Sequence, residues 1–311
     1  MKRFLAGMIA AAAIAVAGAT PSIAQQTRII VVSHGQAADP FWSVVKNGVA
    51  KAAADLKVSV DYRAPETFDM VAMSQLIDAA VNQKPAGLVV SIPDASALGP
   101  SIQKAVAAGI PVISMNSGSD VSKKLGALLH VGQDEFDAGK AAGEKLASMG
   151  GKVGVCVNHE VGNVALDLRC KGFAEGFKGK VTVLPVSNDP SEIRSKVKAA
   201  LSDASVDTVM ALSASLGGEP TLAGVKEAGK IASVRVATFD LSANFLKAIV
   251  AGEAAFGIDQ QQFLQGYLPV AFLALNAEYG LVPGGNVPSG PNLVTKEKAA
   301  QVVDLSAKGI R

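Results

Sequence analysis

The sequence predicts an α/β protein built as two Rossmann-like lobes, each a parallel sheet flanked by helices. Three observations carry that expectation. Short apolar runs rich in β-branched residues recur along the chain, amphipathic helical segments separate most of them, and the alternation restarts after residues 132–151. Continuous apolar strands between helices are the mark of parallel sheets covered on both faces. The runs are more numerous than one doubly wound sheet ordinarily holds, so two similar lobes account for them better.

In chain order, strands are expected at Arg28–Ser33, Val58–Tyr62, Ala86–Ser91, Pro111–Met115, Leu128–Val131, Lys152–Val157, Lys180–Val186, Thr208–Leu212, Arg235–Phe239 and Ala255–Asp259. Asp39-Pro40 supplies an N-cap and a first-turn proline for a helix over Phe41–Leu56. Gly109 follows a helix over Pro100–Ala108, where a left-handed cap is expected. The segment Ala277–Gly290 carries Gly280, Pro283, Gly284, Gly285, Pro288 and Gly290 and reads as loop or crossover. Open parallel sheets bind ligands outside the carboxyl ends of their strands, so residues just after each strand are the candidates for function.

The beginning of the chain has a different character. Lys2 and Arg3 precede an uncharged, Ala-rich stretch from Phe4 to Ala19, followed by Pro21-Ser22-Ile23-Ala24. That is the three-part pattern of a secretory signal peptide over residues 1–24, with cleavage expected after Ala24 and a periplasmic destination for the rest. No later segment offers the ~18 uninterrupted apolar residues of a membrane span. The chain holds 29 basic and 27 acidic residues, and without Lys2 and Arg3 the two signs balance. A near-neutral chain without basic runs has no electrostatic footprint for nucleic acid.

Cys156 falls in a strand-like run and Cys170 in the helix-like segment after it, so both can face the layer between sheet and helix. Export permits a disulfide between them without requiring it, and two buried thiols are the equal alternative. Their spacing fits no zinc pattern, and the three histidines, His34, His130 and His159, are scattered, so no metal site is expected. No Gly-x-Ser-x-Gly elbow, phosphate-cradling Gly-x-x-x-x-Gly-Lys or dinucleotide Gly-x-Gly-x-x-Gly occurs at the first strand. The expectation is a protein that binds without catalysis and without a cofactor.

Read at the strand ends, Ile29-Ile30-Val31-Val32-Ser33 runs into Asp39-Pro40-Phe41-Trp42. Gly109-Ile110-Pro111-Val112-Ile113-Ser114-Met115-Asn116 and Val236-Ala237-Thr238-Phe239-Asp240 follow. In order and spacing the chain resembles the type I periplasmic binding proteins, in particular their ribose- and galactose-type sugar-binding branch. The resemblance implies three crossing segments near Gln133, Gln261 and Asn292. It divides the chain into residues 25–133 with 262–291 in one lobe and 134–261 with 292–311 in the other. It implies capture of a monosaccharide or related polyol in the cleft between lobes and delivery, as a monomer, to an ABC transporter permease. A non-sugar ligand such as a furanosyl signal molecule, or a chemoreceptor as the partner, is the alternative. A regulator with the same lobes would need a DNA-binding helix-turn-helix where this chain carries its apolar leader.

Sugars need paired hydrogen-bond donors and acceptors and an aromatic surface for their C–H faces. The resemblance implies Phe41 and Trp42 as aromatics sandwiching the ring, and Asp39 and Asn116 as polar contacts from the first lobe. Asp240 and Gln260 follow as strand-end contacts, with Asp259 or Gln262 as neighbours that share the register. Ser213 stands where relatives carry an asparagine, and Asp167 is expected where relatives carry an arginine. Arg169 matches a second arginine of the relatives, more often structural there, and is a weaker ligand candidate. His34, after the first strand, is a weaker ligand candidate; His130 and His159 read as structural.

Overall fold

Apolar alternation within single strands builds the first sheet. In the computed structural model, which describes residues 26–35 and 39–311, β1 (Arg28–Val32) sends Ile29 and Val31 to one face and Ile30 and Val32 to the other, where separate apolar clusters bury them. A strand buried on both sides must be apolar throughout. Around it lie β2 (Ser59–Arg63), β3 (Gly87–Val90), β4 (Val112–Asn116) and β5 (Leu129–Gly132). Helices α1 (Pro40–Leu56), α2 (Met70–Asn82) and α3 (Ala95–Ala107) connect them.

The second half repeats the scheme with β6 (Val153–Asn158), β7 (Lys180–Pro185), β8 (Thr208–Ala211), β9 (Arg235–Phe239) and β10 (Phe256–Asp259). Its helices are α4 (Glu135–Ser148), α5 (Val164–Phe177), α6 (Pro190–Ala200), α7 (Glu219–Glu227) and α8 (Ala243–Ala251). A long helix, α9 (Gln262–Tyr279), then packs back on α1; β11 (Val287–Pro288), β12 (Asn292–Val294) and α10 (Lys296–Ala307) complete the described chain. The strand orders are β11-β5-β4-β3-β1-β2 and β12-β10-β9-β8-β6-β7, every pairing parallel except β10 with β12. The result is a two-lobed α/β fold. Among the described residues no helix is long and apolar enough to cross a membrane.

All ten expected strands form, each end within one residue of its expected position. Two expectations are corrected. The helix expected at Pro100 begins at Ala95, because Asp94 Oδ1 accepts the Ser96 and Ala97 N–H groups at 2.8 and 3.1 Å, and Pro100 is carried inside it. The segment Ala277–Gly290 is not all loop: α9 runs to Tyr279, and Val287–Pro288 pairs with β5 at the sheet edge. A two-residue strand carries too little alternation to be read, and an edge position tolerates proline. The leader expected over residues 1–24 lies outside the described residues.

Cys156 on β6 and Cys170 on α5 form a disulfide, with 14 residues of sequence separation. It clamps the helix that carries Arg169 to the strand that ends at Asn158. Closing a loop of this length limits the unfolded chain by about 3 kcal/mol. The double variant Cys156→Ala/Cys170→Ala is therefore expected to lose about that much in urea denaturation, and reduction of the parent by dithiothreitol should reproduce the loss. A variant as stable as the parent would contradict it.

Candidate functional site

The carboxyl ends of β4 and β9 meet across the gap between the sheets. Asn116 and Asp240 both occupy the left-handed region, at φ 63° and 67°, a conformation that Asn and Asp tolerate better than other side chains. Gln260, after β10, joins them: its Nε2 donates to Asp240 Oδ1 at 2.6 Å, and its Oε1 accepts from Asn116 Nδ2 at 3.3 Å. Gln265 on α9 donates to Gln260 Oε1 and to Ser289 Oγ, both at 3.0 Å, and accepts from Asn116 at 3.2 Å. This buried amide chain ties the floor of the cleft together.

Arg169 forms the second wall. Its Nε and Nη2 donate to the two oxygens of Glu135 at 2.6 and 3.0 Å, Nη1 donates to the Leu212 carbonyl at 3.1 Å, and the guanidinium lies 4.4 Å from the Phe239 ring centroid. Among the described residues three of the five guanidinium N–H groups are thus used, and Arg169 lines the cleft with donors to spare. Against a burial that disfavours its charge, Glu135 raises the Arg169 pKa above its ordinary value.

His34, Glu160 and Asn163 line the cleft as well. Ser91 Oγ lies 2.8 Å from His34 Nδ1, and Asn163 Nδ2 donates to Glu160 Oε2 at 2.6 Å and lies 3.5 Å from His34 Nε2. Burial and then the Arg169 charge lower His34 to about 3, so it is a neutral imidazole. His159, lowered to about 4 by the same causes, also lines the cleft, and its Nδ1 is buried without a partner among the described residues. Just beyond, the Val164 N–H donates to the Pro93 carbonyl at 3.1 Å, so the loop after β3 touches the start of α5.

Asp39 caps α1 by accepting the Phe41 N–H at 2.9 Å, and its carboxyl faces the cleft. Burial pushes it up to about 6, against the Phe41 hydrogen bond. Burial likewise pushes Asp240 up to about 7, opposed by the Arg169 charge and the Gln260 hydrogen bond. Glu160 is also raised, chiefly by burial. Phe41 and Trp42 stand edge to face, their centroids 5.1 Å apart at 73°.

A cleft lined at the carboxyl ends of two parallel sheets, with carboxylates, amides and aromatics converging, is a small-molecule binding site. Residues 29–280 match the periplasmic binding protein domain. The chain belongs to the periplasmic binding protein family. It is 37% identical to a carbohydrate transporter protein from Acidothermus cellulolyticus 11B solved in complex with myo-inositol, covering 92% of this chain and 100% of that one, with a TM-score of 0.87. The periplasmic sugar-binding protein of an ABC transporter from Legionella pneumophila is 27% identical, covering 85% and 100%, with a TM-score of 0.79. The xylose/arabinose-binding protein of Sulfolobus acidocaldarius is 24% identical over 290 residues, 86% of this chain and 71% of that protein.

Within this periplasmic binding protein the cleft brings together His34, Asp39, Phe41, Trp42, Asn116, Arg169, Ser213, Asp240 and Gln260. Asp167 is not among them, a correction to the expectation from resemblance. Asn163 caps α5, which turns Ala165, Leu166, Arg169 and Cys170 inward and leaves Asp167 exposed, accepting from Asn158 Nδ2 at 3.0 Å. The cleft therefore keeps a cation on this wall, and Arg169 supplies it. The aromatic sandwich is also corrected. Two rings gripping a third must lie roughly 7 Å apart, two contact distances, whereas Phe41 and Trp42 touch each other and present one surface. Asp259 is withdrawn, ion-paired with Arg311 and accepting the Gln261 N–H at 2.8 Å. His159, Glu160 and Asn163 were missed as site residues, although they follow β6 where the strand-end rule points.

Proposed function

We propose that this protein captures a neutral polyhydroxylated ring, a cyclitol or a monosaccharide, in the periplasm and delivers it to an ABC transporter permease. The observation that carries this reading is the cleft's donor and acceptor set. Asp39, Glu160 and Asp240 offer carboxylate oxygens to hydroxyls, Arg169 keeps donors to spare among the described residues, and Phe41 presents an apolar edge. The one guanidinium is already met by Glu135, so the three carboxylates disfavour an anionic ligand. The relative solved with myo-inositol and the xylose/arabinose-binding relative support the same ligand class.

The mechanism is lobe closure. Residues 25–133 with 262–291 form one lobe and residues 134–261 with 292–311 the other, and a ligand bonded to Asp39 and Asn116 on one side and Arg169 and Asp240 on the other favours the closed pair. No covalent step is needed. Residues 1–24 direct export and are removed, leaving Gln25 as the first residue, and the monomer then works with the permease.

A thermal-shift screen of the protein lacking residues 1–24 against myo-inositol, D-xylose, L-arabinose, D-ribose, D-glucose and D-galactose tests this. At a hundredfold excess over Kd the ligand adds about 2.7 kcal/mol of apparent stability, so at least one neutral ring should raise the melting temperature by several degrees. The same screen carries sugar acids, sugar phosphates and a furanosyl signal molecule, and stabilisation by one of these with none by the neutral rings would overturn the assignment.

A further inference from the structure

Beside the cleft lies a second chamber of about 290 Å³ that shares a wall with it. Asp39, Phe41, Ser213 and Asp240 line both spaces, so an atom of a ligand held by Asp39 and Asp240 stands at the doorway between them. The far side is built from the start of α1, the turns after β8 and β9, and the segment after α10, whose Gly309 carbonyl accepts from Asn47 Nδ2 on α1 at 2.9 Å. The chamber is nearly as large as the roughly 300 Å³ at which small-molecule cavities begin.

Ser43, Ser215 and Ser306 bring hydroxyls to its walls, beside Val44, Leu241 and Arg311; Ser242 lines it too, with its hydroxyl donating to Glu219 at 2.7 Å and accepting the Phe245 N–H at 3.1 Å. Gln262, at the first turn of α9, lines it too. That side chain is 1% exposed, and its Oε1 has no hydrogen-bond partner among the described residues. A buried, unpaired amide oxygen carries a free-energy cost that a donor arriving in the chamber would remove. Gln260, two residues before it, is by contrast engaged in the amide chain of the cleft floor through both Nε2 and Oε1.

We propose that the chamber is a second subsite, which takes the O-linked substituent of a glycosylated or O-alkylated cyclitol or sugar whose first ring occupies the main cleft. A hydroxyl of the second unit donates to Gln262 Oε1, and the Ser43, Ser215 and Ser306 hydroxyls meet the others. The proposal rests on the reading of the cleft as a site for a neutral polyol ring. It extends that reading from single rings to two-unit ligands.

Calorimetry on the protein lacking residues 1–24 tests it with matched probes: myo-inositol against α-D-galactopyranosyl-myo-inositol, and D-xylose against xylobiose. For the pair whose parent binds, the two-unit probe is expected to bind within about tenfold of the parent. Ser43→Trp, on the exposed side of α1, should fill the chamber and weaken the two-unit probe by about thirtyfold or more while leaving the parent within about threefold. Gln262→Met should cost the two-unit probe alone about tenfold, the loss of one hydrogen bond. If a parent binds and its two-unit partner is weaker by more than about a hundredfold, or if Ser43→Trp weakens both alike, the second subsite is refuted and the single-ring function stands. If no parent and no two-unit probe binds, both fall together.

Discussion

Arg169→Ala is expected to lower stability by about 3–5 kcal/mol, the cost of breaking a buried ion pair from one side, and to abolish measurable ligand binding. Both partners are buried, and without the guanidinium the Glu135 carboxylate keeps, among the described residues, the Gln133 Nε2 donor at 3.0 Å. Lysine would not substitute, because one ammonium cannot fork onto two carboxylate oxygens and reach the Leu212 carbonyl as well. The pair exists because α4 and α5 touch backbone to backbone. A Cβ built on Gly172 would lie 2.0 Å from the Phe136 carbonyl oxygen, and one on Gly139 2.2 Å from that of Arg169. Only glycine permits the approach that brings Glu135 within reach.

The double variant Glu135→Gln/Arg169→Met separates the two roles of the side chain. Removing both charges removes the uncompensated carboxylate, so most of the lost stability should return in chemical denaturation. Binding should not return, because the guanidinium that lines the cleft is gone. Recovery of affinity in the double variant would show that Arg169 acts only as a support for α5.

How much of this could be read from the sequence follows the range of the interaction. The inner strands were legible because they are apolar on both faces, a local property of four to six residues, while the edge strands β2 and β7, which have no buried position, were legible from their β-branched residues and their place in the alternation. Asn116, Asp240 and Gln260 were legible as residues at strand ends, where the topology of parallel sheets puts ligands. The Arg169–Glu135 pair was not, since its partners lie 34 positions apart and meet only through the glycine contacts of two helices. The misplacement of Asp167 is a matter of helical phase: two residues along α5 turn a side chain by about 200°, and only the cap at Asn163 fixes which face is inward. His159, Glu160 and Asn163 lie where the strand-end rule points, but a histidine or an amide in a loop has too many structural uses for residue type alone to single it out.

Asp240→Asn should weaken ligand binding by about a hundredfold or more, as one charge-assisted pair of hydrogen bonds becomes neutral, and should at the same time stabilise the ligand-free protein at pH 8. The sign follows from the raised pKa. Burial moves the carboxyl from 3.8 up to about 7, so the folded protein holds this proton more tightly than the unfolded chain. Below about pH 4 both states are protonated and the group contributes nothing; between about pH 4 and 7 stability falls as pH rises. Above 7 the full cost of a buried carboxylate is present, with an upper bound of about 4 kcal/mol. Asparagine removes that cost, so the variant should melt several degrees higher than the parent at pH 8 and alike at pH 4. Asp39, raised to about 6, adds a smaller cost of the same sign over a narrower pH range. Ligand hydroxyls prefer the ionised carboxylate, so binding should release a proton near pH 6 and the parent's Kd should rise as pH falls from 8 to 5.5. Calorimetry in two buffers of different ionisation enthalpy reads that proton directly. A parent affinity flat across this range, or a variant no more stable than the parent at pH 8, would mean that Asp240 is ionised and fully compensated before the ligand arrives.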